Sequence, residues 1–196
     1  MKPHHFARFA LLALAVASAS CGSVREGEGT SYLIVDRLEF APGNDRTAFE
    51  ATLHSDVNTP GGNFDDLARA TFSLGLKDPG SSASPNTPAP NQFITVDRYH
   101  VRFFRADGRN TQGVDVPYEF DGAFTATIGG GAVQSAFVVV RHDAKREAPL
   151  AILGSNRLII TIIAEITFYG RDQTGRETST TARASIDFGN FVTADE

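Results

Sequence analysis

The sequence predicts an all-β fold, an antiparallel two-sheet sandwich of about eight strands. Three observations predict it. Apolar side chains alternate with polar ones along several stretches, the period of a half-buried strand. Turn residues interrupt those stretches at short intervals. Nowhere does a strand pattern alternate with a helical one, so a parallel sheet with crossover helices is excluded.

Each element follows from local pattern. Tyr32 to Phe40 and Ala48 to His54 read as strands. Phe72, Leu74 and Leu76 oppose Thr71, Ser73 and Gly75. In the stretch from Ile94 to Phe104 the parity slips. Ile94 and Val96 are even, whereas Tyr99, Val101 and Phe103 are odd, which a β-bulge near Asp97–Arg98 would produce. Phe124, Ala126 and Ile128 oppose Thr125 and Thr127, and Gln134 to His142 alternates less cleanly. Leu158 to Tyr169 carries Leu158, Ile160, Ile162, Ala164, Ile166 and Phe168 on one face. Its first half is apolar on both faces, which predicts a central place in a sheet. Ala184, Ile186 and Phe188 oppose Arg183, Ser185 and Asp187 in the last strand.

Between these lie the turns. Asp107-Gly108 and Asp172 to Gly175 are hairpin signals, and Gly129 to Gly131 is a turn. Asp78 to Asn91 is rich in Pro and Ser and reads as a surface loop. Ala144 to Leu153 allows one helical turn, limited by Pro149. With no Trp and no Cys pair, immunoglobulin hallmarks are missing, and within the immunoglobulin/fibronectin-like class the fibronectin-like sandwich is the closer analogy.

The N-terminus has its own logic. Met1 to Arg8 carries Lys2 and Arg8 and no acid, and Phe9 to Ala19 is almost wholly apolar. That run is too short to span a bilayer as a helix, and it has the layout of a signal peptide over residues 1–20. Small residues then lead into Cys21, the single cysteine of the chain. Residues 21–30 read as a lipidated Cys and flexible tether, and residues 31–193 as one β domain. Without residues 1–20 the chain keeps 16 basic residues, since Lys2 and Arg8 go, against 23 acids, a net charge near −7. That balance argues against nucleic acid as a partner and against electrostatic docking on anionic lipid.

Few residues carry chemistry. His54, His100 and His142 are far apart in sequence, no H-E-x-x-H occurs, and G-x-S-x-G is absent. His54-Ser55-Asp56 has the residue types of a triad, but neighbours along a strand point to opposite faces. Asp115, Glu119 and Asp121 lie close together and are the calcium candidates, because calcium takes hard oxygens from surface loops. Arg141, His142, Asp143, Lys145 and Arg146, in the densest charged stretch, are the candidate partner contact.

A-S-A-S-C-G, residues 17 to 22, resembles a bacterial lipoprotein lipobox, with Ser18 where that family usually has Leu. V-V-V-R-H-D-A-K-R-E-A-P-L, residues 138 to 150, and I-T-F-Y-G-R-D-Q-T-G, residues 166 to 175, fit an exported β domain. Taken together the chain resembles the uncharacterised bacterial lipoproteins that carry a single all-β domain. The resemblance implies export, acylation at Cys21, and, since Gly22 rather than Asp follows, delivery to the outer membrane. It transfers no catalytic residues. The expected role is a binding or structural module of the envelope, held to the membrane by its anchor and meeting an envelope protein, without a cofactor and not an enzyme. The alternatives are an envelope hydrolase using the loop carboxylates, and a calcium-stabilised adhesin or surface-assembly subunit.

Overall fold

A computed structural model of the chain describes residues 29–59 and 61–191. The expected signal peptide, Cys21 and most of the expected tether lie outside these residues. The described chain is all-β, in the order β1 (Ser31–Ala41), β2 (Leu53–Asp56), β3 (Asp66–Leu76), β4 (Gly80–Ser81), β5 (Ser84–Pro85), β6 (Ile94–Phe104), β7 (Phe120–Ile128), β8 (Val133–Val140), β9 (Ile160–Asp172) and β10 (Glu177–Gly189). One sheet has the order β1-β3-β8 and a second the order β2-β10-β9-β6-β7, while β4 and β5 form a small separate ladder. Every pairing is antiparallel except β2 with β10.

Side chains from both larger sheets meet in one core. The Phe168 ring of β9 stands edge-on to Phe72 of β3 at 4.9 Å and to Phe137 of β8 at 5.3 Å. Tyr99 of β6 packs on Phe137 at 4.8 Å. Its hydroxyl accepts the Val138 backbone N–H, and burial pushes its phenol up from the usual range. A side chain of one sheet thereby satisfies an edge amide of the other. The Tyr99 ring also lies across Gly122 of β7, where any Cβ would collide with it.

The even face of β9 is buried as its alternation requires, and β9 is the middle strand of its sheet. In β6 the register shifts between Val96 and Arg98, where the parity slip placed the bulge. Other expectations change. The strand expected at Ala48 to His54 is only Leu53–Asp56. Glu50 forms a two-way bridge with Phe40 of β1, and three residues later Leu53 pairs with Ile186 of β10. This short segment therefore passes from one sheet to the other. Strand β9 begins at Ile160, because Leu158 and Ile159 sit in the preceding loop. The helical turn is two short 3-10 turns, Ala144–Arg146 and Ala151–Ser155. The Asp107-Gly108 turn opens a long loop, 105–119, rather than closing a tight hairpin. The Gly129–Gly131 turn leads from one sheet to the other.

The register sorts every connection to one of two ends. Residues 29–30, 77–93, 129–132 and 173–176 lie at the near end, where β1 begins. Residues 42–52, 57–59, 61–65, 105–119, 141–159 and 190–191 lie at the far end. The eleven residues of β1 separate the ends by roughly 35 Å at strand rise.

The near end is tied by Asp172. Its Oδ1 accepts from the Thr174 N–H at 2.9 Å, the Thr174 hydroxyl at 2.7 Å and the Arg176 N–H at 3.0 Å. Burial works against the charge, but these bonds win and hold the carboxyl below its ordinary value. A depressed carboxyl stabilises the fold above its unfolded pKa, near 4, and loses that contribution as pH falls through the folded value. Asp172→Asn is therefore expected to lower stability by about 1–2 kcal/mol at neutral pH. The gap to wild type should close as the solution is acidified below about pH 4, measured by urea unfolding across a pH series.

Candidate functional site

The far end gathers what could carry function. Arg141 leaves β8 and lays its guanidinium over the Phe120 ring, 4.1 Å from the centroid. It also donates to the Asp121 carbonyl at 2.8 Å. His142 donates its backbone N–H to Asp65 Oδ1 at 2.6 Å, and its Nδ1 lies 2.8 Å from the same oxygen. Its Nε2 is 3.1 Å from Asp143 Oδ1. Burial would raise the Asp65 carboxyl, but the bonds from His142 and the charge of Arg46 hold it below its ordinary value. Arg146 stays exposed.

Lys145 corrects the expectation of a contact patch. Its side chain is 2% exposed and faces inward, where Nζ meets Asp66 Oδ1 at 2.7 Å. A buried ammonium cannot touch a partner. The other four predicted contact residues remain at the surface, whole or in part.

The calcium candidates do not converge. Asp115 Oδ2 accepts the Thr111 N–H at 3.2 Å and shapes its own loop. Glu119 lies 3.7 Å from His100 Nε2, and Asp121 lies 3.3 Å from His100 Nδ1 and 3.6 Å from Arg98. Among the described residues no group of three or more His, Cys, Asp or Glu side chains is placed to hold a metal ion. The histidines are equally separate. His54 pairs with Asp187 at 3.6 Å, while His100 and His142 keep the partners given above. His54 points outward and Ser55 inward, as strand alternation demands.

Glu119 does meet the charged stretch. A hollow of about 190 Å³ is lined by Pro117, Tyr118, Glu119 and Phe120 on one side. Arg141, Asp143, Ala144, Glu147 and Ala148 line the other. Two groups of residues singled out separately in the sequence thus share one concavity.

Sequence reasoning missed a second feature. The large apolar side chains left exposed among the described residues are Phe64, Val114, Tyr118, Ile152, Leu158, Ile159 and Phe191. All seven fall at the far end and none at the near end. Ile152 and Leu158 are each 65% exposed and Ile159 is 59% exposed. Ile159 and Phe191 both lie against Gly189. The Pro-rich loop, Asp78 to Asn91, lies at the opposite end, where β4 and β5 pair within it.

The sequence also hid a buried polar cluster. Asp66 has no exposed side-chain surface, and its Oδ2 accepts the Ser55 hydroxyl at 2.6 Å. Its Oδ1 accepts the Gly43 N–H at 2.7 Å beside the Lys145 ammonium. Burial pushes the Asp66 carboxyl up, against the pull of Lys145 and the two hydrogen bonds. Asp66 and Lys145 are 79 residues apart, and no local signal marks such a pair.

No family model, no curated protein and no solved structure matches this chain. No helix among the described residues is long and apolar enough to cross a membrane.

Proposed function

We propose that this chain is a lipid-anchored module of the bacterial cell envelope, a fibronectin-like two-sheet sandwich that holds a protein partner at its far end. The observation that carries the reading is the segregation of exposed apolar side chains to that end. Isolated exposed apolar residues are ordinary, but their concentration on one surface marks an interaction site. The charged rim supplied by Arg141, Asp143, Arg146 and Glu147 gives that surface the mixed character of a protein interface. The anchor is read from A-S-A-S-C-G, with Cys21 ten residues ahead of Ser31. Because β1 begins at the near end, an anchored domain turns its apolar loops away from the lipid.

The test is site-directed photocrosslinking in intact cells, with the crosslinker placed at Tyr118, at Leu158, or at Thr87 of the near end. One defined protein should come down from the two far-end positions and not from Thr87. Cys21→Ala should move the chain out of the membrane fraction and abolish that product. Equal capture from all three positions, or none from any, sinks the reading. Retention of Cys21→Ala in the membrane removes the anchor from it.

A further inference from the structure

We propose that Lys145 and Asp66 are joined by an intramolecular amide bond, formed spontaneously once the domain has folded. The inference is independent of the partner and of the anchor.

The geometry is that of reactants held without water. Lys145 Nζ sits 2.7 Å from Asp66 Oδ1, and the two side chains are 2% and 0% exposed. Two such charges are costly to bury, and an amide removes both. Fixed proximity replaces a collision between separate molecules, and well-oriented intramolecular reactions gain large effective concentrations from it. The carboxyl is pushed toward its neutral, reactive form by burial. The remaining contacts suit the chemistry. The Gly43 N–H, 2.7 Å from Oδ1, is placed to hold negative charge that develops there. The Ser55 hydroxyl, 2.6 Å from Oδ2, is placed to deliver protons to the oxygen that leaves.

The step balances without an oxidant or a co-reactant. The ammonium at Oδ1 gives up one proton, which ends on Oδ2 beside the Ser55 hydroxyl, leaving an amine and a carboxylic acid. The nitrogen lone pair attacks Cγ, a C–N bond forms, and the carbonyl electrons move onto Oδ1. A second proton passes from nitrogen to Oδ2. The Cγ–Oδ2 bond breaks, the carbonyl reforms at Oδ1, and Oδ2 departs as water. Ammonium and carboxylate have become an amide and one water.

The consequence is a covalent tie between the first residue of β3 and the 3-10 turn after β8. A chain whose single cysteine is Cys21 has no internal disulfide to do this. The tie pins the segment that carries Arg141 on one side and Ile152 on the other.

The full-length protein, purified folded from its host, decides the matter by mass spectrometry after proteolysis. The expected product is one branched peptide that contains both Asp66 and Lys145 and is lighter than the two separate peptides by the mass of one water. Loss of water alone does not suffice, since Asp107-Gly108 and Asp121-Gly122 can cyclise, so the branched peptide is the criterion. It should be absent from Lys145→Arg and from Asp66→Ala. Recovery of the two peptides unlinked from the folded wild-type protein overturns the proposal, whether or not either variant folds.

Discussion

Lys145→Met is expected to destabilise the domain by about 3–5 kcal/mol, read as a fall in the denaturant midpoint. The side chain fits the same volume, so packing is nearly conserved. What changes is that Asp66 keeps a buried carboxyl with no cation beside it. Ser55 and Gly43 still donate to it, which is why the loss stays below the full cost of an isolated buried charge. The segment 141–155 should loosen with it, because Lys145 is what draws the 3-10 turn onto the core. Adding Asp66→Leu separates two states of the wild type. A purely ionic pair is replaced by an apolar contact and most of the stability returns. A pair already joined as an amide loses its cross-link in the double variant, and stability stays low.

Phe168→Ala should cost a similar amount, about 3–5 kcal/mol, for a different reason. Phe168 is fully buried at the middle of the central strand β9 and touches rings from three other strands. Phe72 and Phe137 stand edge-on to it from the facing sheet, and Phe124 of β7 lies 6.1 Å away. Its removal leaves a cavity between two sheets whose backbones are fixed by their own ladders, so the walls cannot close on it. For a domain of this size each kcal/mol moves the melting temperature by roughly 2–4 °C. Calorimetry should therefore show a drop on the order of 10 °C. A drop of only a degree or two would mean that the core is looser than these ring contacts imply.

The strands that were legible in the sequence are those whose environment differs strongly between faces. Strand β6 is one case, and its bulge was visible because an inserted residue changes which parity is buried. Strand β9 is another, since its even positions are buried while its odd face carries Thr161, Glu165 and Thr167. Strand β2 was misplaced because only four of its residues pair, and they pair in parallel with a strand more than 130 positions later. Neither fact leaves a local trace.

The site was legible only in part. Arg141 and Asp143 were drawn out by charge density, and Glu119 by its nearness to other acids, but nothing in the sequence said that they share a hollow. Lys145 was misread because a charge in a charged run looks solvated. Its burial depends on Asp66, which reaches it only through the fold. The exposed apolar side chains escaped notice for the opposite reason. Leu158 and Ile159 continue the alternation of β9 and read as core, whereas the strand begins only after them.

The passage of Glu50 to Asp56 between the two sheets has a mechanical consequence. A pull between the near end and the far end runs along the strand axes, so it loads the β1–β3 ladder in shear, with all its rungs resisting together. Sliding β1 out of place also drags on the bridge from Phe40 to Glu50, and through it on β2 and β10. Tension entering through one strand is thereby shared by both sheets before either gives way. The domain is built to bear load along its length, and a force applied across the strands, peeling rungs one at a time, would open it far more easily.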